Sequence, residues 1–325
     1  MDQGVAVFWN LLSDACLFSI TANLVAIIIV SRGRCGLSRC ITYYLVAIAV
    51  TNFLVMVTSV ILNRIGGIYF RYCVLSITPG CAVSTVLVYA TRNGSVWLTM
   101  AFTFDRFVSI CYQKLKTRYC TEKTALLVIG MAITLSYVKN VPFYFTYQPL
   151  YILDGVPWFC DIKSSYYTIP SWQAYDWLDH ILTPFLPFFF ILLLNALTVS
   201  HIVEASRARR RLKGSESDED PEIANRKKSI VLLFAISLSF LLLWVTYVGH
   251  FLYVRVTAEA YFTGLDFNDP HFIFQETTNM LQLLSSCNNT FTYAVAQTKF
   301  RNELKKLLTF PSAIITSCFR LNSAS

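Results

Sequence analysis

The sequence predicts an all-α fold: a bundle of seven membrane-crossing helices with a short amphipathic helix on the inner leaflet. Three observations predict it. Only 14% of the 325 residues are charged and 55% are hydrophobic, whereas a soluble domain averages about 25% charged residues. The mean hydropathy is +0.51. The apolar residues gather in seven stretches, roughly 5–30, 41–63, 80–111, 124–146, 180–203, 229–254 and 271–296. Each reaches the ~20 residues with which a helix crosses ~30 Å of hydrocarbon. Finally, Lys and Arg cluster on alternate connections between these stretches.

The basic clusters assign the sides. Loop 31–40 holds Arg32, Arg34 and Arg39, and loop 113–123 holds Lys114, Lys116, Arg118 and Lys123. Segment 204–228 holds eight more, and Lys299, Arg301, Lys305, Lys306 and Arg320 follow the last span. The opposite connections carry only Arg71, Lys163 and Arg255. Lys and Arg favour the cytoplasmic side, so the N-terminus is expected outside and the C-terminus inside. The formal charge of +8 thus reports topology and contact with anionic membrane lipid, and gives no support to nucleic-acid binding. Residues 1–310 are expected to form one seven-span unit that includes the membrane-surface helix, with 311–325 as a cytoplasmic tail.

Taken in order, each span carries polar residues that need a reason. The first, with Asn23, is too long for a signal-peptide core. The second carries Asn52. In the third, Cys81 and Arg106 stand 25 residues apart, about 37 Å along a helix, and so mark the two rims of a tilted span. Ionisable groups near hydrocarbon are expensive and tend to be functional, which singles out Asp105-Arg106 and also Arg92. The fourth ends near Pro142. Loop 147–179, rich in Tyr and Trp, is expected to lid the outer mouth. Its Cys160 faces the same oxidising side as Cys81, where disulfides persist, so a Cys81–Cys160 bridge is expected, with two free thiols as the alternative. The fifth span carries Pro187 and Asn195. Segment 204–228 runs from Arg207-Ala208-Arg209-Arg210-Arg211 into Ser215-Glu216-Ser217-Asp218-Glu219-Asp220 and reads as solvated. Phe240 and Trp244, four apart, share one face of the sixth span. The seventh ends in Asn289-Thr290-Phe291-Thr292-Tyr293. Beyond it, basic and apolar residues alternate at helical spacing from Lys299 to Leu308, the pattern of a helix lying on a membrane surface.

These motifs, in this order, resemble the rhodopsin-like (class A) G-protein-coupled receptors over about residues 5–310. Asp105-Arg106-Phe107 is similar to that family's Asp-Arg-Tyr, Phe240 and Trp244 to its sixth-span aromatic switch, and Asn289 to Tyr293 to its Asn-Pro-x-x-Tyr. Within the family the sequence is most similar to orphan neuronal receptors that respond to aromatic amino acids and short peptides. The resemblance implies a multi-pass plasma-membrane receptor whose partner is a heterotrimeric G protein. It also implies an activation switch made of Asp105, Arg106, Phe107, Asn195, Phe240, Trp244, Asn289 and Tyr293. Departures stand out. Asn52 replaces a sodium-binding aspartate, Thr246 and Thr290 replace prolines, Asn195 replaces a tyrosine, and Arg226 stands where some relatives keep an acid opposite Arg106.

A ligand site is expected in the outer half of the bundle. Arg92 lies 11 residues below Cys81, about 16 Å into the bilayer, and Tyr89 shares its face. With Asp179, His180, Trp244, Tyr247 and Glu276 it suits an extracellular small molecule or short peptide agonist, with Arg92 on a carboxylate and Asp179 or Glu276 on an amine. The alternative is an internal pair between Arg92 and one of those acids. Neither catalysis, a metal nor a cofactor is expected, for the chain lacks a phosphate loop and metal-ligand spacing. Two other readings are a chemosensory receptor and a seven-span transporter or channel. Transporters tend to show internal repeats, and no repeat relates the two halves.

Overall fold

The structure is a computed structural model and describes residues 3–66, 73–212, 221–257, 269–296, 298–307 and 309. The side chains of 3–15, 64, 206, 208–212, 221–229, 289, 295 and 296 lie outside that description, Arg226 and Asn289 among them, as does the expected tail 311–325. Seven long helices are present among the described residues: Gln3–Ser31, Arg39–Met56, Thr78–Cys111, Glu122–Asn140, Leu186–Leu212, Pro221–Thr257 and Pro270–Ala296. They are spans one to seven. Wider turns, Val57–Ile65, prolong span two, and a tighter 3₁₀ stretch, Val141–Thr146, prolongs span four.

Local chemistry sets the ends. Ser38 caps span two by accepting from the Ile41 amide, and Thr121 caps span four by accepting from that of Thr124, each satisfying a donor that the helix leaves orphaned. Pro79 and Pro170 sit in first turns, where a missing N–H costs nothing. Gly80 permits the close approach of the Val74 carbonyl, which a Cβ would meet.

Among the described residues four stretches are long and apolar enough to cross a membrane: Arg39–Asn63, Glu122–Thr146, Pro170–Ala205 and Ile230–Thr257. Spans three and seven fall short for a physical reason. Span three lies in the middle of the bundle, against spans two, four, five and six, and buries Asn93, Thr99, Thr103, Asp105 and Arg106. Span seven buries Thr278, Gln282 and Ser286. Their polar residues face protein rather than the apolar exterior, which Leu126, Leu127, Leu135 and Val138 of span four exemplify. Helices in this setting associate through close packing and buried hydrogen bonds. Gly94 accordingly lets Thr51 and Ser136 come close, and Asn93 donates to Asn140 at 3.3 Å.

Two departures from the expected layout concern residues 147–187. The segment carries secondary structure of its own. Tyr147–Gln148 (β1) pairs with Asp161–Ile162 (β4), and Tyr151–Leu153 (β2) with Val156–Trp158 (β3). Asp154 and Gly155 turn the inner hairpin at φ of 51° and 76°, the two-residue geometry that matches strand twist. A short helix, Ser164–Thr168, follows, and span five then begins at Pro170, ten residues earlier than expected. Ile169 is extended, as a residue before proline prefers, which separates the two helices. The second departure is a break in span five at Ile181–Phe185, where Thr183 has φ −154° and ψ 110°. It lies at Pro184 rather than at Pro187. Span six, with Thr246 in place of proline, runs as one helix.

The Cys81–Cys160 bridge forms, with Cα atoms 5.9 Å apart, and pins the hairpin to the start of span three. Phe159 reinforces it, its amide donating to the Ser76 carbonyl at 2.6 Å and its carbonyl accepting from Thr78 at 2.7 Å. A bridge closing 79 residues contributes about 4 kcal/mol in the chain-entropy picture. Cys81→Ala is therefore expected to lower the apparent melting temperature of the detergent-purified protein by several degrees, read by thermal-shift chromatography. An unchanged transition would refute this.

Candidate functional site

At the disulfide end a cavity of about 260 Å³ opens between the helices. Tyr89, Arg92, Asp179, His180, Trp244 and Tyr247, six of the seven residues expected at a ligand site, line it. Glu276 is the exception. On span seven the lining residues are Gln275, Thr278, Asn279 and Gln282, spaced as one helical face. Glu276 lies a step round the helix, where its carboxylate accepts from Asn279 at 3.2 Å.

The charges are distributed differently from the expectation. Arg92 Nη1 donates to Gln282 Oε1 at 3.0 Å, tying spans three and seven. Asp179, expected to receive a ligand amine, pairs instead with Lys139 at 2.7 Å. Lys139 also donates to Thr183 Oγ1 at 3.3 Å, and Trp97 Nε1 donates to the same oxygen at 3.1 Å. The helix break thus supplies a hydroxyl that gathers spans three, four and five.

Asp176 was not singled out from sequence, yet it is the most connected acid of the cavity. Its side chain is buried, pairs with Arg255 of span six and accepts from Tyr166 at 2.6 Å. His180, one turn further, has Nδ1 2.9 Å from the Asp176 carbonyl. A carbonyl only accepts, so Nδ1 carries the proton and Nε2 accepts from the Tyr247 hydroxyl at 3.2 Å. The His180 ring stacks on Phe251 at 3.8 Å. The signal in the sequence is the spacing Asp176 to His180, four residues on one helix face, hidden because a span that starts at 180 leaves Asp176 in the preceding loop. Tyr166 and Gln282 had no sequence signal, because only the folded loop and the packing of span seven bring them in.

The floor is aromatic. Trp244 is buried, with centroids 5.4 Å from Phe240 and 5.7 Å from Tyr247, and Phe240 meets Phe188 of span five at 5.5 Å. Among the described residues no cluster of three His, Cys, Asp or Glu side chains is placed to hold a metal.

At the opposite end of span three, Asp105 and Arg106 are 1% and 4% exposed and form an ion pair. The Cys40 thiol donates to Asp105 Oδ1 at 3.2 Å, and the Arg106 guanidinium lies 5.9 Å from the Phe102 ring centroid. Arg106 Nε is buried and makes no hydrogen bond. Burial and the neighbouring Asp105 carboxylate push the Cys120 thiol, in the adjoining loop, up to about 12, so it stays neutral. Phe107 packs edge-on against Tyr112 at 5.5 Å. Tyr293 is buried against Phe300 at 5.9 Å, and its hydroxyl makes no hydrogen bond. Asn195 is half-buried with Oδ1 likewise unsatisfied. Between the two ends, Ser95 donates to Asn52 at 2.6 Å, and Asn23 donates to the Ser286 carbonyl at 3.0 Å.

A polar central helix, an aromatic-floored cavity at one end and a buried Asp-Arg pair at the other define a helical membrane receptor. The family model for the 7 transmembrane receptor (rhodopsin family) matches residues 22–293, and the chain belongs to that family. Its members are multi-pass plasma-membrane receptors and not enzymes. The FMRFamide receptor of Drosophila melanogaster is 25% identical over 311 residues, covering 90% of this chain and 53% of the relative. A probable G-protein coupled receptor of Caenorhabditis elegans is 21% identical over 333 residues, covering 99% and 72%. The rat (Rattus norvegicus) melatonin receptor type 1B is 25% identical over 233 residues, covering 70% and 58%. The chain thus spans about half the length of the FMRFamide receptor.

Removing one partner of a buried ion pair typically costs about 3 kcal/mol or more. Asp176→Asn is expected to destabilise the receptor on that scale, with Arg255→Leu in the same chain recovering part of the loss in a thermal-unfolding series. Equal stability of Asp176→Asn and the parent would show that the pair is not a structural tie.

Proposed function

We propose that the chain is a cell-surface receptor that binds an extracellular small molecule or short peptide and activates a heterotrimeric G protein. One observation carries this reading. The cavity floor, Trp244, is in ring contact with Phe240 on the helix that flanks span three, and span three carries the buried Asp105–Arg106 pair at its far end. A ligand seated against Trp244 and Arg92 favours one of two packings of span six on span three. In the open packing Arg106 leaves its pocket and admits an amphipathic helix of the G protein into the groove. Near-complete switching needs about 5.5 kcal/mol of differential binding. Hydrogen bonds to charged groups contribute about 1.5–3 kcal/mol each, so about two to four state-dependent contacts suffice.

Charge supports the orientation. Lys299, Arg301, Lys305 and Lys306 are exposed on the helix after span seven while Phe300 is buried, which suits anionic lipid of the inner leaflet. The disulfide end then faces outward with the N-terminus, and 1–310 acts as one receptor unit with 311–325 as its cytoplasmic tail. The similarity to neuronal receptors for aromatic amino acids and short peptides agrees with the aromatic walls of the cavity.

Arg106→Ala is expected to abolish calcium and cyclic-nucleotide responses while surface expression is retained; unchanged signalling would sink the mechanism. Arg226 offers Arg106 no opposite charge, so ligand-free signalling is expected to be appreciable and to fall on Arg226→Glu. A receptor silent without ligand in a sensitive assay would contradict this.

A further inference from the structure

A second cavity, about 370 Å³, lies beside the disulfide and shares Asn63, Thr85, Tyr147 and Ile162 with the first. Ser84 lines it, 3% exposed, with a hydroxyl that makes no hydrogen bond. Leaving such a group unsatisfied costs about 1–3 kcal/mol, a penalty that a polar ligand atom in the cavity removes. Asp161 is the one charged residue among the described lining residues. It is exposed, and one carboxylate oxygen accepts the Ile162 amide at 2.8 Å. Tyr147 stands between the two cavities, its hydroxyl against those of Tyr89 and Thr85.

Across the two cavities Asp161 stands next to the disulfide and Arg92 deeper, while Asp176 and Asp179, which also line the first cavity, are engaged by Arg255 and Lys139. Arg92 follows Cys81 by 11 residues, about 16 Å along the helix. Side chains on a helix lean toward its N-terminus, here the disulfide end, so the guanidinium lies no deeper than its own Cα. Asp161 follows Cys160, the bridge partner of Cys81, so it stands about that depth above Arg92; two ion-pair contacts of about 2.8 Å each leave about 10 Å, the span of three or four residues of extended chain at ~3.3–3.6 Å each. A single amino acid carries both charges on one carbon and cannot reach across. We propose that the two cavities form one site for a free-ended peptide of three or four residues, its carboxylate on Arg92 and its ammonium on Asp161, threaded past Tyr147. This rests on the reading of the Arg92 cavity as the agonist site and narrows it.

The test uses cells expressing the full chain, read by calcium and cyclic-nucleotide responses. The probes are single amino acids and pools of free-ended di-, tri-, tetra- and pentapeptides, with N-acetylated and C-amidated counterparts. Tri- and tetrapeptide pools are expected to be the most potent. Asp161→Asn and N-acetylation should each raise the half-maximal concentration at least tenfold, and together no further, because both delete the same contact. Asp161 is exposed, so surface expression should be unaffected. Equal potency of single amino acids, equal potency of amidated pools, or indifference to Asp161→Asn where Arg92→Gln abolishes the response would each overturn the two-cavity site and leave the receptor reading standing. Silence to every probe, with the receptor at the surface, would overturn both.

Discussion

The constraint from which this architecture follows is that charge within an apolar slab must be turned away from it. Span three carries Arg92, Asp105 and Arg106, and the faces that bear them cannot meet hydrocarbon without large cost. Spans two, four, five and six therefore pack around it, and it becomes the axis of the bundle. Each of its charges is then met by a different neighbour: Gln282 from span seven at Arg92, and Asp105 beside Arg106 with the span-two thiol of Cys40 behind it. Placing the charges fixes which helices must touch.

The same axis separates two environments. Toward the disulfide the polar groups are held in matched sets, Lys139 with Asp179 and Arg255 with Asp176, around an open space. Toward Arg106 they are packed tightly around the Asp105–Arg106 pair; buried polar atoms without a hydrogen bond occur at both ends, Arg106 Nε and Tyr293 Oη here, Ser84 Oγ and Thr278 Oγ1 toward the disulfide. Unsatisfied buried polar atoms carry a penalty, and a rearrangement or a ligand that finds them partners gains free energy.

Much of this was legible in the residues. Seven apolar runs with alternating basic loops stated the helix count and positions, because hydropathy in a bilayer is a strong one-dimensional signal. The Cys81–Cys160 bridge and six cavity residues were also readable, since a charge or aromatic ring in a span has few places to go. What escaped were contacts made by loop folding and helix rotation. The hairpin from Tyr147 to Ile162, the early start of span five and the role of Asp176 depend on how Pro170 and the Asp154-Gly155 turn direct the chain. Glu276 was misplaced by a single step around span seven, about 100° of rotation, which periodicity alone does not resolve.

The interruption at Thr183 makes span five two separate levers joined at a swivel. The upper one is fastened sideways through Tyr175 to the Lys139 carbonyl and through Asp176 to Arg255. The lower one, from Leu186 onward, has mainly greasy neighbours such as Phe240 against Phe188. Motion below the swivel need not disturb the clamp above it, so the binding chamber can hold its shape while the opposite half of the same helix slides.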